Sequence, residues 1–285
     1  VLRFLVLTYA KSLAAQSGLS LETQITGNVF SRLDFKNTRL TPKTGQNEIL
    51  NTAEIGDASV QYDLAQILSG DLRRAIRSIR INEARLSLHQ LPAPPKPKGG
   101  SDGSTFTAAI RYALDIPGLF ADNVELTDIT FEVERGCAVR SIQHLGLSAI
   151  EGQAGQLNVN QVVLATGEEF GPIRSPLTYK NRRLDIGPIE IGPGLELTSL
   201  SFGGSSREAT KSVGLAIRAG DGTMSMALSE RNATWQLELM GKQFPMGSLL
   251  ERFGFAHGYE AGLQFLQIHA DGNPGESQSW NGSMS

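Results

Sequence analysis

The sequence is poor in the residues that carry covalent and redox chemistry. It contains a single cysteine, Cys137, so it can form neither an internal disulfide framework nor a zinc site built from cysteines. Cys137 follows a glycine at the end of an apolar strand pattern. We interpret it as a small buried hydrophobic residue in preference to a reactive thiol.

Histidine is also scarce, and recognisable catalytic motifs are missing. No two histidines have a spacing that would let them share a metal on one element, and each is interpreted as solvated or structural: His89, His144, His257 and His269. The sequence has no Gly-x-Ser-x-Gly elbow, phosphate-binding loop or dinucleotide fingerprint. We therefore predict no catalytic residues, no metal site and no cofactor, and a protein that is not an enzyme.

An excess of charge of one sign and a long hydrophobic run are both missing. The 26 basic and 29 acidic side chains give a net charge of −3, so nucleic acid is not an expected partner. The apolar start, residues 1–7, is far shorter than the roughly 20 residues of a spanning helix. Apolar residues over 2–16 instead follow helical spacing and predict an N-terminal amphipathic helix, with a signal-peptide core as the weaker alternative.

What the sequence does have is period-two alternation, most clearly over residues 55–88. Alternation gives a strand one apolar and one wet face. A stretch of helical spacing over 64–70 separates two such strands, and the parity of the second strand changes near 82–85, which predicts a bulge. The apolar strand positions are Val60, Tyr62, Ile79, Ile81, Leu86 and Leu88.

A second stretch, residues 106–133, follows the same order of elements. Residues 106–114 form a predicted strand, 116–120 a short apolar turn or helix, and 124–133 a returning strand whose parity changes after Leu126. Two weak copies of one arrangement suggest a repeated architecture. The apolar positions of the returning strand are Val124, Leu126, Ile129, Phe131 and Val133.

These patterns predict a mainly antiparallel β protein with helices near 2–16, 64–70 and 246–253. We divide it into residues 1–91, a Pro/Gly/Ser-rich segment over 92–104, and a β-rich region over 105–285 that is expected to continue beyond the C-terminal end. The middle segment is interpreted equally well as a linker between domains or as a disordered surface loop.

Residues 92–104 give the first testable prediction. Proline, lysine, glycine and serine offer little apolar surface to bury, so limited proteolysis of the whole chain should cut there before any other internal position. A first cut within 55–88, identified by mass spectrometry of the fragments, would contradict this interpretation.

Three stretches resemble AsmA-like bacterial envelope proteins, the group that includes TamB. The strand pair at 19–40, with Thr26-Gly27-Asn28-Val29-Phe30 followed by an apolar-alternating run to Leu40, resembles their opening strands. Residues 55–88 resemble their strand–helix–strand unit, and 245–285 resemble a third stretch with regularly placed glycines. Residues 135–240 align with nothing in that family.

The resemblance implies a long curved sheet folded like a taco, with an apolar inner groove and no enzymatic activity. It also implies a periplasmic or cell-envelope location, an inner-membrane anchor preceding Val1, an outer-membrane protein as partner, and phospholipid acyl chains as cargo. The function expected is phospholipid transport, or assistance to outer-membrane assembly. Chorein-type lipid-bridge proteins are similar in architecture.

Two hypotheses follow. In the first, the eleven apolar strand positions named above line a lipid groove; a sealed core explains such stripes equally well. In the second, the chain is a carbohydrate-binding or adhesin-like β-solenoid, which would favour regular short repeats and clustered surface aromatics or carboxylates. Neither the repeats nor such clusters are evident, and there are only two tryptophans, Trp235 and Trp280. Bound lipid or bound glycan would separate the two.

Overall fold

The protein is mainly β, and its 18 strands form a mixed sheet that is not closed. The computed structural model describes residues 2–16, 18–43, 50–69, 75–90, 121–135, 139–181, 183–192, 194–205, 210–231, 234–252, 262–272 and 281–284. Two compact units are present: Val1–Pro92 with Phe120–Ile150 and Gln156–Pro172, and Ala93–Leu119 with Glu151–Gly155 and Ile173–Ser285. We call them unit 1 and unit 2 and describe each by itself.

The described helices and strands follow one another along the chain in this order. The first half contains α1 (Leu2–Gln16), β1 (Leu19–Asn28), β2 (Arg32–Pro42), β3 (Leu50–Tyr62), α2 (Leu64–Leu68), β4 (Ile76–Gln90), β5 (Asn123–Arg135), β6 (Val139–Ile150), β7 (Ala154–Val159), β8 (Gln161–Leu164) and β9 (Glu169–Phe170). The second half contains β10 (Ile173–Lys180), β11 (Arg183–Ile186), β12 (Ile189–Gly192), β13 (Leu195–Ser205), β14 (Thr210–Ala219), β15 (Gly222–Arg231), β16 (Thr234–Phe244), α3 (Met246–Arg252), β17 (Leu263–Gly272) and β18 (Asn281–Met284).

The three helices in the described part of the chain confirm the spacing analysis. They occupy 2–16, 64–68 and 246–252, where the sequence predicts them. The start of α2 has a clear local cause, because the Asp63 carboxylate accepts hydrogen bonds from the backbone N–H groups of Ala65 (3.0 Å) and Gln66 (3.3 Å). This cap satisfies donors that the first turn of a helix leaves free.

In unit 1, β1 to β4 form an antiparallel meander, and β5, β6 and β8 continue the sheet. The pairing of β4 with β5 is parallel, with Ile79 opposite Val124 and Leu88 opposite Val133, whereas the neighbouring pairings of β3 with β4 and of β5 with β6 are antiparallel, as the sequence predicts for most of the sheet. Parallel neighbours need a long crossover connection, and residues 91–122 supply it. The predicted segments 92–104, 106–114 and 116–120 lie outside the described residues.

In unit 2, β13 to β18 form an antiparallel meander. The hairpin between β14 and β15 has the two-residue loop Gly220-Asp221, as the Gly-Asp-Gly sequence predicts. A cluster around the buried Val213, Leu228 and Trp235 forms part of its core. Gly187 and Pro188 separate β11 from β12, at one of the three Gly-Pro dipeptides of the sequence.

The predicted parity changes are present, and their cause is a line of left-handed residues. Asn37 in β2, Glu83 in β4, Asp128 in β5 and His144 in β6 all have φ between 48° and 57°. Gly56 of β3 lies between Asn37 and Glu83, because Lys36 and Thr38 pair with Asp57 and Ile55, which in turn pair with Asn82 and Ala84. We call these five residues the left-handed row after the four that have positive φ; Gly56 completes the line without a positive φ.

The left-handed row differs from the bulge that the sequence predicts near 82–85. A bulge sets two residues of one strand against one of its neighbour. From β2 to β5, however, each strand has one additional residue at the same level, so the pairing is in register on both sides of the row. The side to which alternate residues point therefore changes at the same level in all four strands. The two-against-one arrangement is found instead at the ends of the row, toward β1 and β6.

Candidate functional site

Unit 1 has one continuous apolar face. Residues directly opposite each other on paired strands point to the same side of a sheet. At one level, the pairings join a residue from each of seven strands, and every one is apolar: Ile25, Phe35, Ala58, Ile81, Leu126, Leu147 and Leu157.

Further apolar rows run parallel to this one on both sides. Nearer the β1–β2 turn lie Leu33, Val60, Ile79, Val124 and Ala149. Directly beyond the left-handed row lie Thr38, Ile55, Ala84, Ile129 and Leu145. The next rows contain Leu21, Leu40, Ala53, Leu86, Phe131, Ile142 and Val162, and then Leu50, Leu88 and Val133. Together these rows define what we call the apolar face.

Ten of the eleven predicted groove residues lie in these rows, and Tyr62 follows Val60 by two residues on the same side of β3. Leu88, Val124 and Val133 are buried, and the other eight are half-buried: Val60, Tyr62, Ile79, Ile81, Leu86, Leu126, Ile129 and Phe131. The Tyr62 hydroxyl donates a hydrogen bond to the Val29 carbonyl oxygen at 2.5 Å, and burial raises its pKa. The polar end of this ring is thus paired within the protein.

Sequence reasoning missed the outer strands of this face. It did not assign Leu33, Phe35 or Leu40 of β2 to the groove, nor Leu145 and Leu147 of β6, although all five are half-buried beside predicted members. The alternation within β2 was a usable signal. The partners of each strand were not visible in the sequence, so rows that cross the sheet could not be assembled.

The left-handed row keeps the apolar face continuous. Three positions separate Phe35 from Thr38, and the same number separates Ile81 from Ala84. Because this number is odd, a regular strand would place the two residues of each pair on opposite faces. The additional residue in each strand returns the later positions to the apolar side. Asn, Asp and His are the types best tolerated at positive φ, apart from glycine, and three of the four non-glycine members are of these types.

The opposite face of unit 1 is polar and carries ion pairs between neighbouring strands. Arg39 of β2 contacts Glu54 of β3 at 3.2 Å, and Arg80 of β4 contacts Glu125 of β5 at 2.6 Å. The left-handed row lines an open cleft of about 510 Å³ on this face, together with Arg39, Glu54 and Arg85. Unit 1 is therefore a two-faced sheet.

The cleft brings Asp128 and His144 together as a hydrogen-bonded pair across β5 and β6. Both side chains are largely exposed, and among the described residues no serine or cysteine lines the cleft. The backbone requirement of the left-handed row explains the presence of an aspartate and a histidine at these two positions.

The other histidines of the described residues also face carboxylates on neighbouring strands. His89 contacts Glu134 at 2.9 Å, and His269 lies 3.7 Å from Glu238 and 3.6 Å from Asp271. Within the part of the chain that the structure describes, no three side chains of His, Cys, Asp or Glu are grouped as a metal would require. Cys137 and His257 lie outside that part.

Unit 2 repeats the two-faced pattern by itself. At one level its pairings join Leu200, Leu215, Met226, Leu239, Ile268 and Met284. The neighbouring level contains Phe202, Val213, Leu228 and Leu237. Gln243 of β16 has φ of 47°, so a left-handed residue also occurs within a strand of this unit.

Comparisons with known proteins add no identification. No match was found. This holds for protein-family models, for curated protein sequences and for solved structures. The likeness to AsmA-like proteins therefore rests on the residues quoted for it. Among the described residues, no helix has both the length and the apolar character needed to cross a bilayer.

Proposed function

We propose that the apolar face of unit 1 binds phospholipid acyl chains, as part of a non-enzymatic protein that carries lipid between membranes or assists outer-membrane assembly. The observation that carries the proposal is the unbroken set of apolar rows across β1 to β8. The proposal places the protein in the periplasm or cell envelope, with the inner membrane and an outer-membrane protein as partners.

The dimensions of the apolar face support an acyl-chain ligand. Neighbouring strands are about 4.8 Å apart, so a row across seven strands is roughly 29 Å wide. Rows follow one another at roughly 6.7 Å along the strands. The hydrocarbon core of a whole bilayer is about 30 Å thick, so the acyl chain of one leaflet is about 15 Å long. Such a chain is shorter than the apolar face, both across the strands and along them.

The chemistry of the apolar face supports the same ligand. Apart from Thr38, whose hydroxyl is hydrogen-bonded to that of Thr23 at 2.7 Å, its rows consist of aliphatic and aromatic side chains, and its tyrosine hydroxyl is already paired within the protein. A sugar or a peptide needs hydrogen-bonding groups that fix its orientation, whereas an acyl chain needs none. The antiparallel hairpins of both units give no support to the alternative of a β-solenoid.

The middle rows are the part most suited to contact with lipid. Residues at the ends of the strands, such as Leu88, Val124 and Val133, are buried, whereas Phe35, Ile81 and Leu126 in the middle remain half-buried. Apolar surface left in water is unfavourable by about 25 cal/mol per Å². An acyl chain lying over the middle rows would remove this cost.

Replacing Ile81 with aspartate tests the proposal. Ile81 lies between Ala58 and Leu126 in the middle of the face, so a carboxylate there should exclude acyl chains. We expect lipid adducts on the wild-type protein, extracted from membranes and examined by native mass spectrometry, and clearly fewer on Ile81→Asp. Asn82→Asp is the matched control, because Asn82 is the next residue and faces the polar side; it should keep its lipid.

Stability measurements separate a lipid groove from a sealed core. Leu228 is 2% exposed within the core of unit 2, so Leu228→Asp should unfold its surroundings. We expect Ile81→Asp to lower the free energy of unfolding less, because water can reach a half-buried carboxylate. A wild-type protein without lipid, together with an equal loss of stability in the two variants, would favour a plain structural core.

A further inference from the structure

One end of unit 1 presents two large apolar side chains to solvent. Phe30 in the β1–β2 turn is 59% exposed, and Leu68 at the end of α2 is 80% exposed. The turn and the helix lie at the same end of the strands, because the backbone N–H of Tyr62 donates to the Ser31 carbonyl oxygen at 2.9 Å and α2 begins directly after Asp63. We call this end, defined by residues 29–31 and 63–69, the tip.

The turn that carries Phe30 is held by hydrogen bonds and is not a loose loop. The Asn28 side-chain oxygen accepts from the Phe30 N–H at 3.0 Å, and the Asn28 carbonyl oxygen accepts from the Ser31 N–H at 3.1 Å. The Tyr62 hydroxyl contacts the Val29 carbonyl oxygen. The exposed ring of Phe30 is therefore displayed by an ordered backbone.

Helix α2 displays Leu68 in the same manner. Asp63 caps its start, and at its other end the Ser69 N–H donates to the Ala65 carbonyl oxygen at 3.0 Å while the Ser69 hydroxyl donates to the Gln66 carbonyl oxygen at 2.9 Å. No residue of this helix is buried. A helix that packs so little of itself into the core is not explained by core formation alone.

The charges beside the tip are paired with one another. Arg77 contacts Asp122 at 3.2 Å and Asp63 at 3.5 Å, and hydrogen bonds to Asp122 and then to Asp63 raise its pKa. These three side chains carry a formal charge of −1 in total. Among the described residues beside the tip, this charged group gives no attraction to anionic lipid, and Phe30 and Leu68 offer apolar contact.

The tip is also where the apolar face begins. The row of Leu33, Val60 and Ile79 is the first one behind the Phe30 turn. An acyl chain that leaves a bilayer beside Phe30 and Leu68 would therefore meet apolar side chains at once. By contrast, exposed Phe4 belongs to α1, which enters β1 at the opposite end of the strands, and Met240 and Phe265 belong to unit 2.

We propose that the tip, through Phe30 and Leu68, inserts into the interfacial region of a phospholipid bilayer and so forms the end at which acyl chains enter the apolar face. Aromatic and aliphatic side chains are suited to that region. The role as an entry end rests on the proposed function, whereas membrane contact by the tip does not require it.

The test is flotation of the whole chain with phosphatidylcholine vesicles. We expect the wild-type protein to float and the double variant Phe30→Ser/Leu68→Ser to have a partition coefficient at least about tenfold lower, since both side chains lose apolar burial. The matched control is Met240→Ser/Phe265→Ser, which removes two side chains of similar exposure, 52% and 57%; it should stay within about twofold of wild type. Circular dichroism verifies that each variant is folded.

The possible failures are distinguishable. Wild-type protein that does not float, or a tip variant that floats normally, overturns the proposal for the tip, and lipid on the purified protein would still support the apolar face. Floating protein that never carries lipid overturns the proposed function and leaves the membrane contact standing. If the tip variant instead loses a dimer seen by sedimentation without vesicles, the tip binds a second copy and the proposal is wrong.

Discussion

Deleting Glu83 should destabilise unit 1 by about 1–3 kcal/mol without turning the strand over. In the wild-type protein β3, β4 and β5 each have one residue in the left-handed row, so their pairing is in register on both sides of it. Without Glu83, Ile81 and Ala84 are two residues apart, and an ordinary strand keeps them and every later residue on their present sides. Gly56 of β3 and Asp128 of β5 would then have no residue of β4 opposite them, so β4 would meet a two-against-one bulge on each side.

The substitution Glu83→Gly separates backbone geometry from side-chain chemistry. Glycine adopts positive φ without the roughly 1–2 kcal/mol that a side chain costs there, so we expect this variant to be as stable as wild type or more stable by about 1 kcal/mol. Glu132→Gly is the control: Glu132 lies on the polar face of β5 and pairs in an ordinary register with Ser87, so glycine should destabilise there. Urea unfolding followed by circular dichroism measures all three.

A folded deletion variant with normal stability would contradict the role of the left-handed row. The same holds if Glu83→Gly lost as much stability as Glu132→Gly, because the glutamate side chain would then matter more than its backbone. The two results are independent, since the deletion tests the matching of β4 with its neighbouring strands and the substitution tests the backbone conformation.

The parity of the strands could be predicted from the sequence, and the conformation that changes it could not. Ile81 and Leu86 are separated by an odd number of positions, as are Leu126 and Ile129, so an irregularity between them was evident. Only the paired strands reveal that Asn37, Glu83 and Asp128 lie on one level. A single strand gives no information about its neighbours, and the parallel pairing of β4 with β5 was hidden for the same reason.

Membership of the apolar face was predictable where side chains are large. Ile79, Ile81 and Phe131 show a clear period of two and lie on the face as expected. Ala53, Ala58 and Thr38 occupy equivalent positions in neighbouring rows, yet small residues and threonine occur on either side of a sheet and carry little signal. The rows are complete only because backbone pairing places these small residues between larger ones.

The last prediction concerns Gly222 at the start of β15 in unit 2. A Cβ atom there would lie 2.1 Å from the Gln243 carbonyl oxygen and 2.9 Å from the Phe244 Cα atom. Both are backbone atoms, so no side-chain rotation relieves the clash. Gln243 is the left-handed residue of β16, and the Phe244 side chain next to it is fully buried. Gly222 is thus the residue that gives the left-handed strand position its space.

We expect Gly222→Ala to lower the free energy of unfolding by about 3 kcal/mol, at the upper end of what overpacking costs, as measured by chemical denaturation. Gly262→Ala is the control, because an added methyl there meets no atom within 4 Å, and its change should stay within about 1 kcal/mol. Gly56→Ala should fall between them, since its Cβ would meet the Glu83 Cβ at 3.2 Å. Equal effects at Gly222 and Gly262 would show that β16 can move away from β15 at little cost, and the left-handed residue would then need no glycine beside it.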